Sequence, residues 1–221
     1  MGDGPRSAGP TAPLLIACAL GIERFALRSG SGRGRAGGAP GPVSVLRTGM
    51  GPRAADAAVT RALGTGRAPG TAVLAAGFCA GLSPGMHPGD LVVADETRGT
   101  GDPTVCTGSG LLVEALARAV PGRTVHTGPL TGSAHVVRGH ERAELRATGA
   151  IAVDMESAAT LGAALRSGPR PVAAVRVVVD APEHELVRIG TIRGGISAFC
   201  VLRAVLPAFY EWHRSLPLPR R

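Results

Sequence analysis

Lysine is absent from this 221-residue chain, so all 24 basic side chains are arginine. Ala, Gly, Pro and Arg are abundant instead, which reads as a bias toward GC-rich codons before it reads as function. Aromatic residues make up only 3% of the chain. A nucleic-acid-binding surface usually interleaves clustered basic residues with aromatics, and the arginines here are scattered, so no nucleic acid is expected as a partner. The four cysteines (Cys18, Cys79, Cys106, Cys200) form no CxxC pair, which argues against a zinc site or a disulfide framework. Cys18, Cys79 and Cys200 lie in apolar surroundings and are expected to be buried thiols. The six histidines show no HxxxH spacing and no serine sits in a GxSxG turn, so metal-assisted hydrolysis and serine-triad chemistry are set aside. No unbroken apolar run of about 18 residues occurs, and the first 13 residues have no apolar core of signal-peptide length. A disordered leader (residues 1–13) and a cytoplasmic protein are the expectation. Acids are scarce too, 16 against 24 bases, and the net charge of +8 can attract anions or an acidic membrane surface.

What is present is enough for a core: 44% of residues are hydrophobic. The length fits one α/β domain, taken as residues 14–214, with a basic tail over 215–221. Apolar runs at 14–20, 43–47, 71–76, 91–95, 125–130 and 172–179 read as strands. Amphipathic or alanine-rich stretches at 53–63, 110–120, 141–148 and up to Leu165 read as helices. The Gly/Arg-rich stretch 29–42 reads as a loop, as does 97–107. Residues 197–214 read as a final helix, kinked or restarted at Pro207. Its aromatics lie near basic residues. It suits core, an oligomer contact or a face resting on a membrane.

Chemistry is sought where strands end and helices begin, the edge at which open α/β sheets bind ligands. The stretch 149–159 runs from a strand into a helix and leaves Asp154, Met155 and Glu156 at the junction. Asp154 there is a helix cap and Glu156 either a solvated first-turn acid or an acceptor for ligand hydroxyls. Glu23 follows the first strand, and Asp180 ends the last one. Arg176 interrupts the apolar run VAAVRVVV, and a buried guanidinium needs a carboxylate or a bound anion. The turn Thr48-Gly49-Met50-Gly51-Pro52 enters a helix, where backbone N–H groups can hold a phosphate or a polar sugar. A GxG alone also serves turn geometry only.

Taken in order, strand-then-Glu23, TGMGP, GFCAGLSPGMHPGDLVVAD, GSAHVV, AVDMESAA and VRVVVDAPEHE resemble the nucleoside phosphorylase and nucleosidase superfamily, in particular its methylthioadenosine/S-adenosylhomocysteine nucleosidase branch. The resemblance covers nearly the whole chain. It implies a three-layer α/β/α fold around a central mixed sheet, a homo-oligomer, no cofactor or metal, and cleavage of a nucleoside's N-glycosidic bond by water or phosphate. It implies that Asp180 protonates the leaving purine at N7 and that Glu23 handles the attacking water. Met155 and Glu156 match the ribose contacts and Arg176 the arginine near sugar and nucleophile. His135 and Val136 fall where the adenine ring is held, Phe78 and Gly49 join the substrate contacts, and Thr48 and Gly51 are the phosphate candidates.

The departures are specific. Val179 and Phe78 stand where related enzymes carry serine, Ala75 where purine nucleoside phosphorylases carry a phosphate-binding arginine, and His135 where a stacking phenylalanine is usual. With the apolar, basic C-terminal helix, these changes resemble the hopanoid-associated phosphorylases, which implies phosphorolysis of a lipid-linked adenosine (adenosylhopane) to release adenine. It also implies peripheral membrane contact through that helix. The alternatives are a hydrolytic methylthioadenosine/S-adenosylhomocysteine nucleosidase and a nucleoside-binding protein without catalysis.

Overall fold

A computed structural model describes residues 12–30, 42–64, 70–181 and 190–216. Residues 1–11 of the expected leader, most of the 29–42 stretch and the tail beyond residue 216 lie outside the described residues. The elements in chain order are β1 (Leu14–Cys18), α1 (Gly21–Gly30), β2 (Val43–Arg47), α2 (Pro52–Gly64), β3 (Ala72–Gly81), β4 (Leu91–Arg98), β5 (Thr104–Val105), α3 (Ser109–Ala119), β6 (Val125–Gly132), α4 (His140–Ala147), β7 (Ala152–Asp154), α5 (Ser157–Arg166), β8 (Val172–Asp180), α6 (Gly190–Ala204) and α7 (Leu206–Ser215).

Alternation along the strands makes the layers. Successive side chains of a strand point to opposite faces. On β1, Leu14, Ile16 and Cys18 enter one core while Leu15 and Ala17 enter the other. On β8, Val175 and Val177 separate in the same way from Val172, Ala174 and Val178. The first core is closed by Leu27 of α1, Leu112 of α3, Leu202 of α6 and Phe209 of α7. The second is closed by Val59 of α2 and Leu161 of α5. Helices therefore cover both faces of a mixed sheet, which is the three-layer α/β/α arrangement.

β2, β1, β3 and β8 run parallel, so the ends of β1, β2 and β8 meet at one edge. β4 runs antiparallel to β8 and parallel to β6, which lies parallel to β7. The short β7 then pairs antiparallel with the far half of β3, at Ala80 and Gly81. The pairings β3–β7–β6–β4–β8–β3 close a circuit, so none of these five strands is left with a bare edge along its paired length. Because β7 runs against β3, it delivers Glu156 to the ligand edge from the opposite direction.

Several sequence expectations shift. β3 continues past Ala76 to Gly81, which puts Phe78 inside a strand, not in a turn. The expected loop 97–107 contains the end of β4 and the two-residue β5, which pair through Glu96–Val105 and Thr97–Thr104. The final helix is two helices. It breaks at Val205, and Pro207 sits in the first turn of α7, where its missing N–H costs nothing. α6 begins at Gly190, earlier than expected. Cys200 is exposed, contrary to the expectation of a buried thiol, because it faces outward from α6, while Cys106 is buried. The aromatic residues Phe209 and Trp212 are fully buried in the first core, and the Trp212 indole N–H donates to the Thr107 carbonyl at 2.8 Å. They are core residues and leave no aromatic membrane face on α7 apart from half-buried Tyr210. No helix among the described residues is long and apolar enough to cross a membrane.

α1 and α6 lie side by side. Phe25 stacks on Phe199 with ring centroids 6.1 Å apart, and Gly30 touches the backbone carbonyl of Arg203. The two helices therefore run in the same direction, and Ile22 and Ile196 lie one turn earlier on the same faces. Ile22, Phe25 and Ile196 are all more than half exposed. They form an apolar row that starts at the ligand edge.

Candidate active site

Glu23 sits in the first turn of α1 and is 2% exposed. Its Oε2 accepts from the backbone amides of Ala19 (2.9 Å) and Leu20 (2.8 Å), and its Oε1 from that of Phe78 (2.8 Å). Three N–H donors, two from the turn after β1 and one from β3, thus hold one carboxylate. Phe78 contributes its backbone here, which does not require the serine found in relatives.

Arg176 points from β8 into the α2/α5 layer and is fully buried. Its Nη2 meets Asp154 Oδ2 at 2.6 Å and its Nε donates to Ser157 Oγ at 2.9 Å. Burial pulls the guanidinium pKa down, but Asp154, Glu156 and Glu23 outweigh it and hold the group above its ordinary value. Its Nη1 has no partner among the described residues. That nitrogen and Glu23 Oε1 both lie 2.5 Å from where a Cβ on Gly77 would stand, so glycine at this position lets the two approach. The partner expected for buried Arg176 is Asp154. That residue also accepts from the Ser157 amide (3.1 and 3.2 Å), so it tethers the start of α5 as well.

Glu156 is 8% exposed and accepts from the Gly51 amide at 2.8 Å, a link across 105 residues. Burial raises its pKa, and Arg176 and the Gly51 amide only partly offset that. The turn after β2 is otherwise occupied by the protein. The amides of Thr48 and Gly49 donate to the carbonyls of Cys18 and Ala19 (2.8 and 3.2 Å), and the Thr48 hydroxyl to Cys18 and Gly49 carbonyls (3.2 and 2.9 Å). Of the two phosphate candidates, the Gly51 amide becomes available to a ligand only when Glu156 turns to it.

Asp180 ends β8 and is 5% exposed. Its Oδ2 pairs with Nη2 of Arg142, a residue of α4 that the sequence reading did not single out. Arg142 is 6% exposed, and its Nε donates to the Val137 carbonyl at 3.3 Å. Asp180 Oδ1 and Arg142 Nη1 have no partner among the described residues. Nothing in HERAELRA marks one arginine as buried, because the helix is polar on most of its faces. His135 and Val136, ahead of α4, are exposed, and the His135 ring meets Glu141 at 3.0 Å. They stand on the rim of the edge, not inside it.

The remaining chemistry is muted. Burial pushes the thiols of Cys18 and Cys106 up to about 12, so neither is a nucleophile at neutral pH. No three His, Cys, Asp or Glu side chains gather as a metal site among the described residues. A groove of about 1290 Å³ runs between α2, α5 and the 99–105 segment, and of the expected site residues only Met155 lines it. The carboxylates are elsewhere, so this groove is not where the chemistry sits.

The strand ends therefore bring together Glu23, Arg176, Asp154, Glu156 and the Gly51 turn, with the Asp180–Arg142 pair at the end of β8. The family model described as the Phosphorylase superfamily matches residues 12–195. No curated protein is similar enough to the chain to count as a relative. Among solved structures, the 5'-methylthioadenosine/S-adenosylhomocysteine nucleosidase of Neisseria meningitidis in complex with methylthio-immucillin-A is similar, with a TM-score of 0.72 and 21% identity over 92% of this chain and 99% of that one. A putative methylthioadenosine nucleosidase of Weissella paramesenteroides gives 0.74 and 20% over 92% and 99%. The futalosine hydrolase of Helicobacter pylori gives 0.72 and 16% over 90% and 97%. At these identities the likeness establishes the fold.

Proposed function

Since the chain belongs to the Phosphorylase superfamily and is an enzyme of the nucleoside phosphorylase/nucleosidase type, we propose that it cleaves the N-glycosidic bond of an adenine nucleoside. One observation carries this reading. Among the buried polar atoms at the ligand edge without a partner in the described residues are Arg176 Nη1 beside Glu23 and Asp180 Oδ1 at the end of β8. A glycosidic cleavage needs one polar group for the nucleophile and another for the leaving base. Arg176 and Glu23 serve the first, and Asp180 the second. Glu156 accepts from the ribose hydroxyls, with Met155 beside it.

The nucleophile in this reading is phosphate. Arg176, beside Glu23, keeps a cationic donor without a partner among the described residues. A fixed donor on a buried guanidinium suits an anion. The group carried on the ribose is apolar, because the row Ile22, Phe25 and Ile196 begins beside Glu23 on α1. A lipid-linked adenosine such as adenosylhopane fits that row. Its lipid part would rest against α1 and α6, not α7. A second copy of the chain would cover the groove between α2 and α5, whose rim exposes Val105 and Leu165.

Hydrolysis is the second reading, favoured by the triple amide anchor that holds Glu23 in one orientation. Adenine release from a lipid-linked adenosine, methylthioadenosine and adenosine, each with and without phosphate, separates the two. Phosphate-dependent release is the expected outcome. Phosphate-independent turnover of methylthioadenosine would replace it with the hydrolytic reading. Asp180→Asn should lower release by about a hundredfold or more. Release at the wild-type rate would remove Asp180 from the chemistry.

A further inference from the structure

The apolar row on α1 and α6 lies among arginines. Ile22, Phe25 and Ile196 are each more than half exposed, and Phe25 is braced by the half-buried ring of Phe199. Arg24 and Arg28 of α1 are exposed, and Arg28 lies one turn beyond Phe25 on the same face. Arg203 stands at the far end, where it packs on Gly30. At the near end, Nη1 of Arg47 lies 3.8 Å from where a Cβ on Gly21 would stand. The one acid of α1 is Glu23, which is buried and held by amides, and the sequences of β2 and α6 contain no acid. The arginines that form ion pairs among the described residues are others: Arg98, Arg118, Arg142, Arg166 and Arg176.

We propose that this face docks on an anionic lipid bilayer, with Ile22, Phe25 and Ile196 entering the boundary between headgroups and acyl chains and the arginines meeting lipid phosphates. Charge selects the partner. An apolar stripe bordered by basic side chains is the pattern of a helix lying in a membrane interface. Each arginine near an anionic leaflet adds to the attraction, and a guanidinium keeps its charge there. Area argues in the same direction. Three side chains a little over half exposed offer roughly 350 Å² of apolar surface, less than half of the ~800 Å² that a stable protein interface takes from each partner. Shallow insertion into lipid needs no such area when charge assists it. The row begins at the ligand edge, so a docked molecule turns that edge toward the bilayer. This inference goes beyond the nucleoside reading and stands on the surface alone.

The test is co-sedimentation of the full chain with vesicles of phosphatidylcholine alone and of phosphatidylcholine mixed with phosphatidylglycerol, near physiological salt. Wild type should bind the anionic vesicles and bind the neutral ones at least about tenfold more weakly. Arg24→Gln with Arg28→Gln should lose about twentyfold on anionic vesicles, about fivefold for each arginine. Phe25→Ser should lose at least about tenfold. Arg53→Gln with Arg166→Gln removes the same charge from α2 and α5, which close the other core on the opposite face of the sheet. It should change binding by less than about threefold, because charges beyond a Debye length are screened. All the replaced side chains are exposed, so each variant should unfold within about 2 °C of the wild type, which separates lost binding from lost structure. Absence of binding to the anionic vesicles overturns the proposal. An equal loss in the Arg53/Arg166 pair overturns it too, by making the attraction one of net charge. Unchanged binding of Phe25→Ser leaves the row out of the membrane and has the same consequence. Sedimentation velocity covers the remaining occupant: a wild-type dimer that Phe25→Ser dissociates would give the row to a second copy of the chain, against the proposal. Vesicle binding needs no turnover. Its failure leaves adenine release standing, and a chain that binds vesicles but releases no adenine loses only the nucleoside reading.

Discussion

Glu156 shows how a residue can oppose stability while suiting the binding role proposed for it. Its carboxyl is buried and its pKa is raised by that burial. The native state therefore holds the proton more tightly than the unfolded chain does, and ionisation costs stability. The stabilising contribution is complete below the unfolded-state value and is lost as pH rises through the raised one. Glu156→Gln cannot ionise, so thermal unfolding across an acid-to-neutral series should show the wild type losing Tm relative to the variant as pH rises. The same variant should lose roughly tenfold to a hundredfold in kcat/KM, the scale of a hydrogen bond to a charged group. A Tm difference independent of pH would mean that Glu156 is not carrying the buried charge. Glu23, Glu156, Arg176 and Asp180 are legible in the sequence because each is a charged residue at an apolar strand or just past its end. Arg142 is not, because its burial comes from its reach to Asp180 and the Val137 carbonyl, which no periodicity in α4 records.

At the scale of elements, the parallel packing of α1 on α6 depends on Gly30. A Cβ there would overlap the Arg203 backbone carbonyl, which cannot swing aside as a flexible side chain can. Gly30→Ala should cost about 1–3 kcal/mol by denaturant unfolding, as overpacking does. Gly64→Ala at the end of α2 meets nothing within 4 Å among the described residues and should be neutral within about 0.5 kcal/mol. Equal effects would mean that the helices are not in this close contact. The positions of α2, α3, α4 and α5 are readable from the sequence to within a residue or two, but not those of α6 and α7. There the single apolar run concealed a break at Val205, because residues on both sides, Leu202 and Leu206, enter the same core. β3 was read short because Gly77 and Gly81 look like turn residues. In the sheet they allow close approach, Gly77 to Arg176 and Glu23, Gly81 to Met86.

For the molecule as a whole, the closed circuit of β3, β7, β6, β4 and β8 ties both helical layers to one sheet. Trp212 is the single tryptophan and lies in the first core only. Its fluorescence and the far-UV dichroism should nevertheless report coincident thermal transitions, because neither layer keeps a sheet to pack on once the circuit opens. Separate transitions would show that the layers melt independently. The circuit also orders events during synthesis. Among the described residues β8 is the last strand to leave the ribosome, and it brings Arg176 and Asp180 together with the pairing that closes the ring onto β3 and β4. A nascent chain ending before Val172 has Glu23 and Glu156 but lacks the guanidinium beside them and the carboxylate at the end of β8. Domains acquire structure from the N-terminus as they emerge. An unfinished copy of this protein therefore lacks part of the proposed site, which is complete only on a complete sheet.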